Sequence, residues 1–111
     1  MPKEFSDYKK AKIAVLPIPF DKTSSWQKGA DKGPRAMIDA SRNVELYDIE
    51  TKSEVYKKGI FTDKPVKAAT SVLMVKKAYE RTLELLNDGK FVVALGGEHS
   101  VSVGVIKAFA K

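Results

Sequence analysis

Two continuous apolar runs constrain the fold of this chain more than any other feature. Residues 13–20 (Ile-Ala-Val-Leu-Pro-Ile-Pro-Phe) and residues 91–95 (Phe-Val-Val-Ala-Leu) are apolar throughout instead of alternating with polar residues. In a strand covered on one face, apolar residues alternate with polar ones. A strand of a parallel sheet is buried on both faces, so its sequence is a continuous apolar run. The runs therefore predict two buried parallel strands, the first ended by its prolines, which lack a ladder donor.

Helical patterns surround these strands. Residues 68–87 predict a long helix, because apolar residues recur at helical spacing and charged residues fill the other face. Its predicted core side is formed by Val72, Val75, Tyr79, Leu83 and Leu86. A further helix is predicted over residues 101–111, directly after the second strand.

The segment between the first strand and the long helix has weaker patterns. Pro34 predicts the start of a short helix that ends at Arg42, since proline suits the first helical position. We expect this helix to turn Ala36, Met37 and Ala40 inward. A short half-buried edge strand is predicted from an alternation of apolar and polar side chains, with Val44, Leu46 and Ile49 as its apolar members. Residues 50–66 predict irregular structure.

The order strand, helix, strand, helix predicts an α/β parallel-sheet fold. Two strands are too few for a sheet that must be covered on both faces. In the last predicted helix, apolar residues still recur at helical spacing where the sequence reaches Lys111. We therefore expect residues 1–111 to be part of a larger domain, with residues 1–12 as a polar arm.

Composition excludes several classes of protein. The chain has no cysteine, so it carries no disulfide framework and no thiolate metal cluster, and it has only one histidine. Its N-terminus has no apolar signal region, and no apolar run reaches the roughly 20 residues that span a bilayer. These features predict a cytoplasmic location and no membrane partner. The net charge of +6 comes from scattered lysines with only three arginines, which favours a solvated surface over a nucleic-acid partner.

The chemically most informative motif follows the second strand. Ligands of open α/β sheets bind beyond the carboxyl ends of the strands, and His99 lies there, after Gly96 and Gly97. Imidazole is the commonest metal ligand, and Glu98 and Ser100 are candidates to orient its ring. The alternative is that His99 is a hydrogen-bonded turn residue. The chain has no second histidine and no Asp-x-Asp or Asp-x-His spacing to complete a metal site.

A long polar loop, residues 21–33, follows the first strand, and loops of this length are often functional. Its only aromatic residue is Trp26, which lines a pocket or, equally, anchors the loop by packing. The nearby hydroxyls of Thr23, Ser24 and Ser25 have no base close in sequence, so we do not predict a serine nucleophile.

Three separated blocks stand in the same order as in a known family. They are residues 19–34 (Pro-Phe-Asp-Lys-Thr-Ser-Ser-Trp-Gln-Lys-Gly-Ala-Asp-Lys-Gly-Pro), residues 43–48 (Asn-Val-Glu-Leu-Tyr-Asp) and residues 94–100 (Ala-Leu-Gly-Gly-Glu-His-Ser). By these blocks the sequence resembles the arginase/agmatinase (ureohydrolase) family, and agmatinases in particular. The resemblance runs from about Ile13 to the last residue and corresponds to the N-terminal third of family members.

The resemblance implies a three-layer α/β/α fold around a mostly parallel sheet, incomplete in this chain. It also implies a binuclear manganese centre and hydrolysis of agmatine to putrescine and urea, as in polyamine biosynthesis. A small guanidino compound would be the substrate, and the complete protein would be a homo-oligomer.

Residue by residue, the resemblance assigns one position, since His99 matches the family's first manganese ligand. The family's other ligands, in an Asp-x-His-x-Asp and a later Asp-x-Asp motif, and its general acid/base histidine have no counterpart in these residues. We therefore assign no catalytic residue and expect the 111 residues alone to be inactive. Arginine, guanidinobutyrate or formiminoglutamate remain alternative substrates, and a non-catalytic module that binds a partner or oligomerises remains an alternative function.

Overall fold

The structure, a computed structural model, describes residues 2–111. It contains three strands, β1 (Ile13–Ile18), β2 (Ile60–Thr62) and β3 (Phe91–Gly96), and three α-helices, α1 (Gly33–Ala40), α2 (Ser71–Asn87) and α3 (Ser102–Ala110). The strands form one parallel sheet in the order β2-β1-β3, with Ile13 opposite both Ile60 and Phe91. The prediction of an α/β fold with parallel strands is confirmed.

The central strand contains a proline, and the hydrogen bonding explains why it is tolerated there. Pairing of β1 with β2 stops at Val15. The Pro17 carbonyl accepts a hydrogen bond from the Val66 amide at 2.9 Å on that same side. Because the N–H and C=O of one residue point to the same side of a strand, the missing donor of Pro17 faces the side where the ladder has ended. The strand continues to Ile18, so the prediction that Pro17 helps to end it was wrong.

The core lies between the sheet and the helix pair α2–α3. Its fully buried side chains include Leu16, Ile18, Met74 and Leu85. On α2 the buried stripe is formed by Met74, Ala78, Thr82 and Leu85, with Val75, Tyr79 and Leu86 partly buried beside it. Val72 is 80% exposed, so the predicted core side was displaced by about one residue.

A glycine on α3 fixes the distance between the two long helices. A Cβ placed on Gly104 would lie 2.4 Å from the Val75 carbonyl oxygen and 3.2 Å from the Ala78 Cβ. The helices therefore touch backbone to backbone at this point, which brings Ala78 rather than a larger residue to the centre of the contact. This close approach explains why alanine occupies the fully buried position 78.

The segment after the first loop differs from the prediction. Helix α1 ends at Ala40, and a 3-10 turn continues it over Ser41–Asn43. Ala36, Met37 and Ala40 are exposed, and Pro34 is the buried residue of α1. The helix therefore turns toward the sheet mainly through its first turn.

The predicted edge strand around residues 44–49 does not form. Among the described residues, pairing here is limited to an isolated antiparallel bridge between Asp48 and Ser53. Val44, Leu46 and Ile49 are exposed and line an open apolar groove instead. Strand β2 was missed because three residues are too few to show a period.

The N-terminal residues pack onto the amino end of the sheet. The ring of Tyr8 meets Phe61 edge-on, with centroids 4.9 Å apart. The Lys90 ammonium donates to the Ala11 carbonyl at 2.6 Å and to the Tyr8 carbonyl. No helix within residues 2–111 has both the length and the apolarity needed to cross a bilayer.

Candidate functional site

The carboxyl ends of β1 and β3 lead into two backbone segments that remain paired beyond the sheet. The Ile18 carbonyl accepts from the Gly97 amide at 3.0 Å, and the Phe20 carbonyl accepts from the Glu98 amide at 2.9 Å. A Cβ on Gly97 would lie 2.2 Å from the Phe20 carbonyl oxygen, so only glycine fits. The glycine of the motif thereby brings the turn after β3 against the start of the long loop.

A buried carboxylate joins the loop to this turn. Glu98 is 6% exposed. Its Oε2 accepts from the Thr23 amide at 2.7 Å, and its Oε1 accepts from the Thr23 hydroxyl and from Ser100 Oγ, the latter at 2.5 Å. We call Glu98, Thr23 and Ser100 the Glu98 clamp. The hydrogen bonds from Ser100 and Thr23 hold the pKa of the Glu98 carboxyl below its usual value.

The clamp corrects one expectation from the sequence. Glu98 and Ser100 were expected to orient the imidazole of His99. Instead the Ser100 hydroxyl donates to Glu98, and the carboxylate binds Thr23 of the other loop. The two residues therefore fix the position of the loop rather than the ring.

A second carboxylate stabilises the loop internally. Asp21 Oδ2 accepts from the Gly29 amide at 2.6 Å and from the Ala30 amide at 3.0 Å. Gly29 has a φ of 123°, a conformation that glycine adopts without strain. These bonds close the loop on itself.

The loop and the turn enclose a cleft of about 450 Å³ at the carboxyl end of the sheet. One wall is formed by residues 23–27 with Ala30, and the other by residues 97–100. His99 is exposed here, where the 3-10 helix His99–Val101 begins. Trp26 lines the same cleft. The structure thus brings together the two side chains that the sequence singled out in separate segments.

The donor set for a metal ion is incomplete in the part of the chain that the structure describes. No three His, Cys, Asp or Glu side chains of residues 2–111 come close enough together to hold a metal ion. His99 offers an exposed imidazole, which fits a single ligand position, whereas the carboxylate of Glu98 is occupied by the clamp. Any site with several ligands needs donors from outside these residues.

Comparison with known proteins identifies relatives of the whole chain. The N(1)-aminopropylagmatine ureohydrolase of Synechocystis sp. is 36% identical over 99% of this chain. The agmatinase of Bacillus anthracis is 29% identical over 98% of it. The crystal structure of the agmatine ureohydrolase of Thermoplasma volcanium superposes with a TM-score of 0.87 and 29% identity over 93% of this chain.

The chain spans only part of these relatives, covering 40%, 38% and 36% of their respective lengths. The sequence model of the Arginase family matches residues 11–111, a stretch that includes β1, the long loop, the Glu98 clamp and His99. The chain belongs to the arginase family.

Proposed function

We propose that the protein is a manganese-dependent ureohydrolase that cleaves a guanidino C–N bond of agmatine, with urea and putrescine as products. The observation that carries the proposal is the position of His99, exposed in a cleft at the carboxyl end of a parallel sheet in a member of the arginase family. The names of the relatives, agmatinase and N(1)-aminopropylagmatine ureohydrolase, support the class of reaction.

In this proposal His99 supplies one imidazole ligand to a binuclear manganese centre, and the other ligands come from outside these residues. Such a centre, when bound, makes water a strong nucleophile near neutral pH for attack on the guanidinium carbon. The residues of this chain then hold the metal-binding imidazole and the substrate cleft in place. Gly97 permits the close turn that places His99 at the cleft, and the Glu98 clamp fixes the opposite wall.

N(1)-aminopropylagmatine is a second candidate substrate. The relatives that are 35–36% identical to this chain, from Synechocystis and two strains of Thermus thermophilus, carry that name. Agmatine and its aminopropyl derivative share the guanidino group and an amine-bearing tail. They differ only in the length and charge of the tail, so the same chemistry serves both.

The test is to measure urea release by the full-length protein from agmatine, N(1)-aminopropylagmatine and arginine, with and without added manganese. The proposal predicts manganese-stimulated release from an amine-tailed substrate and little from arginine. Preference for N(1)-aminopropylagmatine would select the second candidate. Release from none of the three by metal-loaded protein would contradict the proposal and favour a non-catalytic module.

We further infer a cytoplasmic enzyme of polyamine biosynthesis that assembles as a homo-oligomer. The names of the relatives, agmatinase and N(1)-aminopropylagmatine ureohydrolase, support the polyamine part of this inference. Cell fractionation and light scattering of the full-length protein test the location and the assembly separately.

A further inference from the structure

Trp26 is strongly exposed in the part of the chain that the structure describes. Its side chain is 87% exposed, more than any other large apolar residue of residues 2–111. Tryptophan gains stability by burial, and an indole that anchors a loop packs against the core. Of the two interpretations of Trp26, pocket lining and loop anchoring, the exposure favours the first.

Other residues hold the loop that carries Trp26. Glu98 binds the Thr23 amide and hydroxyl, and Asp21 binds the amides of Gly29 and Ala30. The Lys28 ammonium donates to the Ser24 carbonyl at 3.2 Å. These bonds bracket Trp26 on both sides in the sequence. The position of the indole is therefore set by its neighbours, and the ring itself is left free to contact a ligand.

The indole shares its cleft with His99, the proposed metal ligand. A substrate whose reacting carbon lies near a metal held by His99 would extend its remaining atoms along the same cleft. Among the residues that the structure describes, the lining of the cleft includes one carboxylate, Glu98, and no lysine or arginine. The Lys28 ammonium lies at the rim on Ser24. Within residues 2–111 the lining itself therefore offers no cationic side chain to pair with a carboxylate-bearing tail.

We propose that Trp26 is a substrate-contacting residue that selects guanidino substrates with a positively charged amine tail. The alkyl chain would lie on the indole, and the ammonium would be held over the ring face by a cation–π interaction. This inference rests on the proposed function and adds the residue that binds the substrate tail.

The experiment compares Trp26→Ala and Trp26→Phe with the wild-type full-length protein loaded with manganese. Trp26→Ala should raise KM for agmatine about three- to tenfold while kcat stays within about twofold, because a contact remote from the reacting carbon acts mainly on binding. Trp26→Phe keeps an aromatic face and should stay within about twofold of wild type in KM. Val72→Ala removes a comparably exposed apolar side chain on α2 and should change neither constant.

Competitive inhibition by butylguanidine separates recognition of charge from apolar contact, because this compound lacks the ammonium group. We expect Trp26→Ala to weaken agmatine binding more than butylguanidine binding. Equal weakening of both compounds, or an unchanged KM for agmatine, would overturn the proposal. So would a change in assembly or melting temperature without a change in KM, since that outcome assigns Trp26 to an interface.

The two proposals fail in different ways. A wild-type protein that releases no urea from any guanidino substrate contradicts the proposed function, and the role of Trp26 is then lost with it. An active wild type whose Trp26→Ala variant is kinetically unchanged contradicts the role of Trp26 alone.

Discussion

Lys90 and Glu98 flank strand β3, one just before it and one just after it, and both are buried ionisable side chains. Lys90 is 8% exposed and donates to the carbonyls of Tyr8 and Ala11, with its ammonium 4.5 Å from the centroid of the Tyr8 ring. Glu98 accepts from Thr23 and Ser100. Each buried group ties a distant segment to one end of the same strand, over 79 to 82 residues for Lys90 and 75 residues for Glu98.

The two ends differ in what the tied segment does next. The segment held by Lys90 packs its Tyr8 ring against Phe61 of β2. The segment held by Glu98 leaves Trp26 exposed and forms one wall of the cleft with His99. One physical device, a buried charge satisfied by hydrogen bonds, stabilises the fold at one end and positions a candidate site at the other.

The largest effect on stability should follow from removing the Lys90 ammonium at the amino end of β3. Lys90→Met keeps the aliphatic stem but removes the ammonium, which leaves the buried Ala11 carbonyl and the Tyr8 carbonyl without this donor. We expect the free energy of unfolding to fall by about 1–3 kcal/mol. Denaturant unfolding of the full-length protein measures this change.

Lys76→Met is the control for that variant. The Lys76 side chain is exposed and makes only a 4.0 Å pair with Glu80, so its loss should have almost no effect. Substrate KM should be unchanged in both variants. An equal loss of stability in the two would show that the buried contacts of Lys90 do not stabilise the fold.

Removing the Glu98 carboxylate at the carboxyl end of β3 should affect activity more than stability. Glu98→Gln keeps the volume of the side chain but removes the charge and one of its acceptor oxygens. The loop that carries Trp26 then loses its fixed position, and we expect kcat/KM to fall about tenfold with the manganese content retained. Steady-state kinetics and metal analysis of the same preparations measure both quantities.

Glu80→Gln is the matched control, because Glu80 is a half-exposed carboxylate on α2, away from the cleft. It should leave kcat/KM unchanged. Wild-type kinetics in the Glu98 variant would contradict a positioning role for the clamp.

A smaller effect is expected in the pH dependence of stability. The pKa of Glu98 is lowered by hydrogen bonds from Ser100 and Thr23. Its contribution is therefore complete above the unfolded pKa of glutamate, about 4.3, and is lost as the pH falls through the lower folded value. The wild type should lose stability more steeply than Glu98→Gln from about pH 5 to about pH 3. Parallel curves for the two proteins would contradict this assignment.

The contrast between the two ends also marks what the sequence could reveal. The two parallel strands and the place of His99 after β3 were predictable, because a continuous apolar run followed by Gly96 and Gly97 is a local pattern. The predicted burial of the second strand was wrong within these residues, since Val92 is the buried residue of β3 and Phe91 is 69% exposed.

The pairings of Lys90 with Tyr8 and Ala11 and of Glu98 with Thr23 were not predictable, since these partners lie 75 or more residues away. A local sequence pattern cannot reveal such long-range pairings, because they form only when β1 and β3 lie side by side.

Two errors in the fold have a related cause. The buried stripe of α2 includes Ala78 because Gly104 of α3 lies against the backbone of α2 at this point. The edge strand predicted around Leu46 had a suitable alternation but no ladder partner beyond the bridge at Asp48 in the described part of the chain. In both places the packing or pairing partner determined the structure, and the local propensity of the sequence did not.

The most direct test of the account is the manganese content of the full-length protein and its His99→Ala variant, measured together with urea release from agmatine. The exposed position of His99 predicts that the variant keeps its fold and melting temperature but loses bound manganese and most of its activity. A variant that retains the metal content and turnover of the wild type would contradict the claim that this end of the sheet is the functional site.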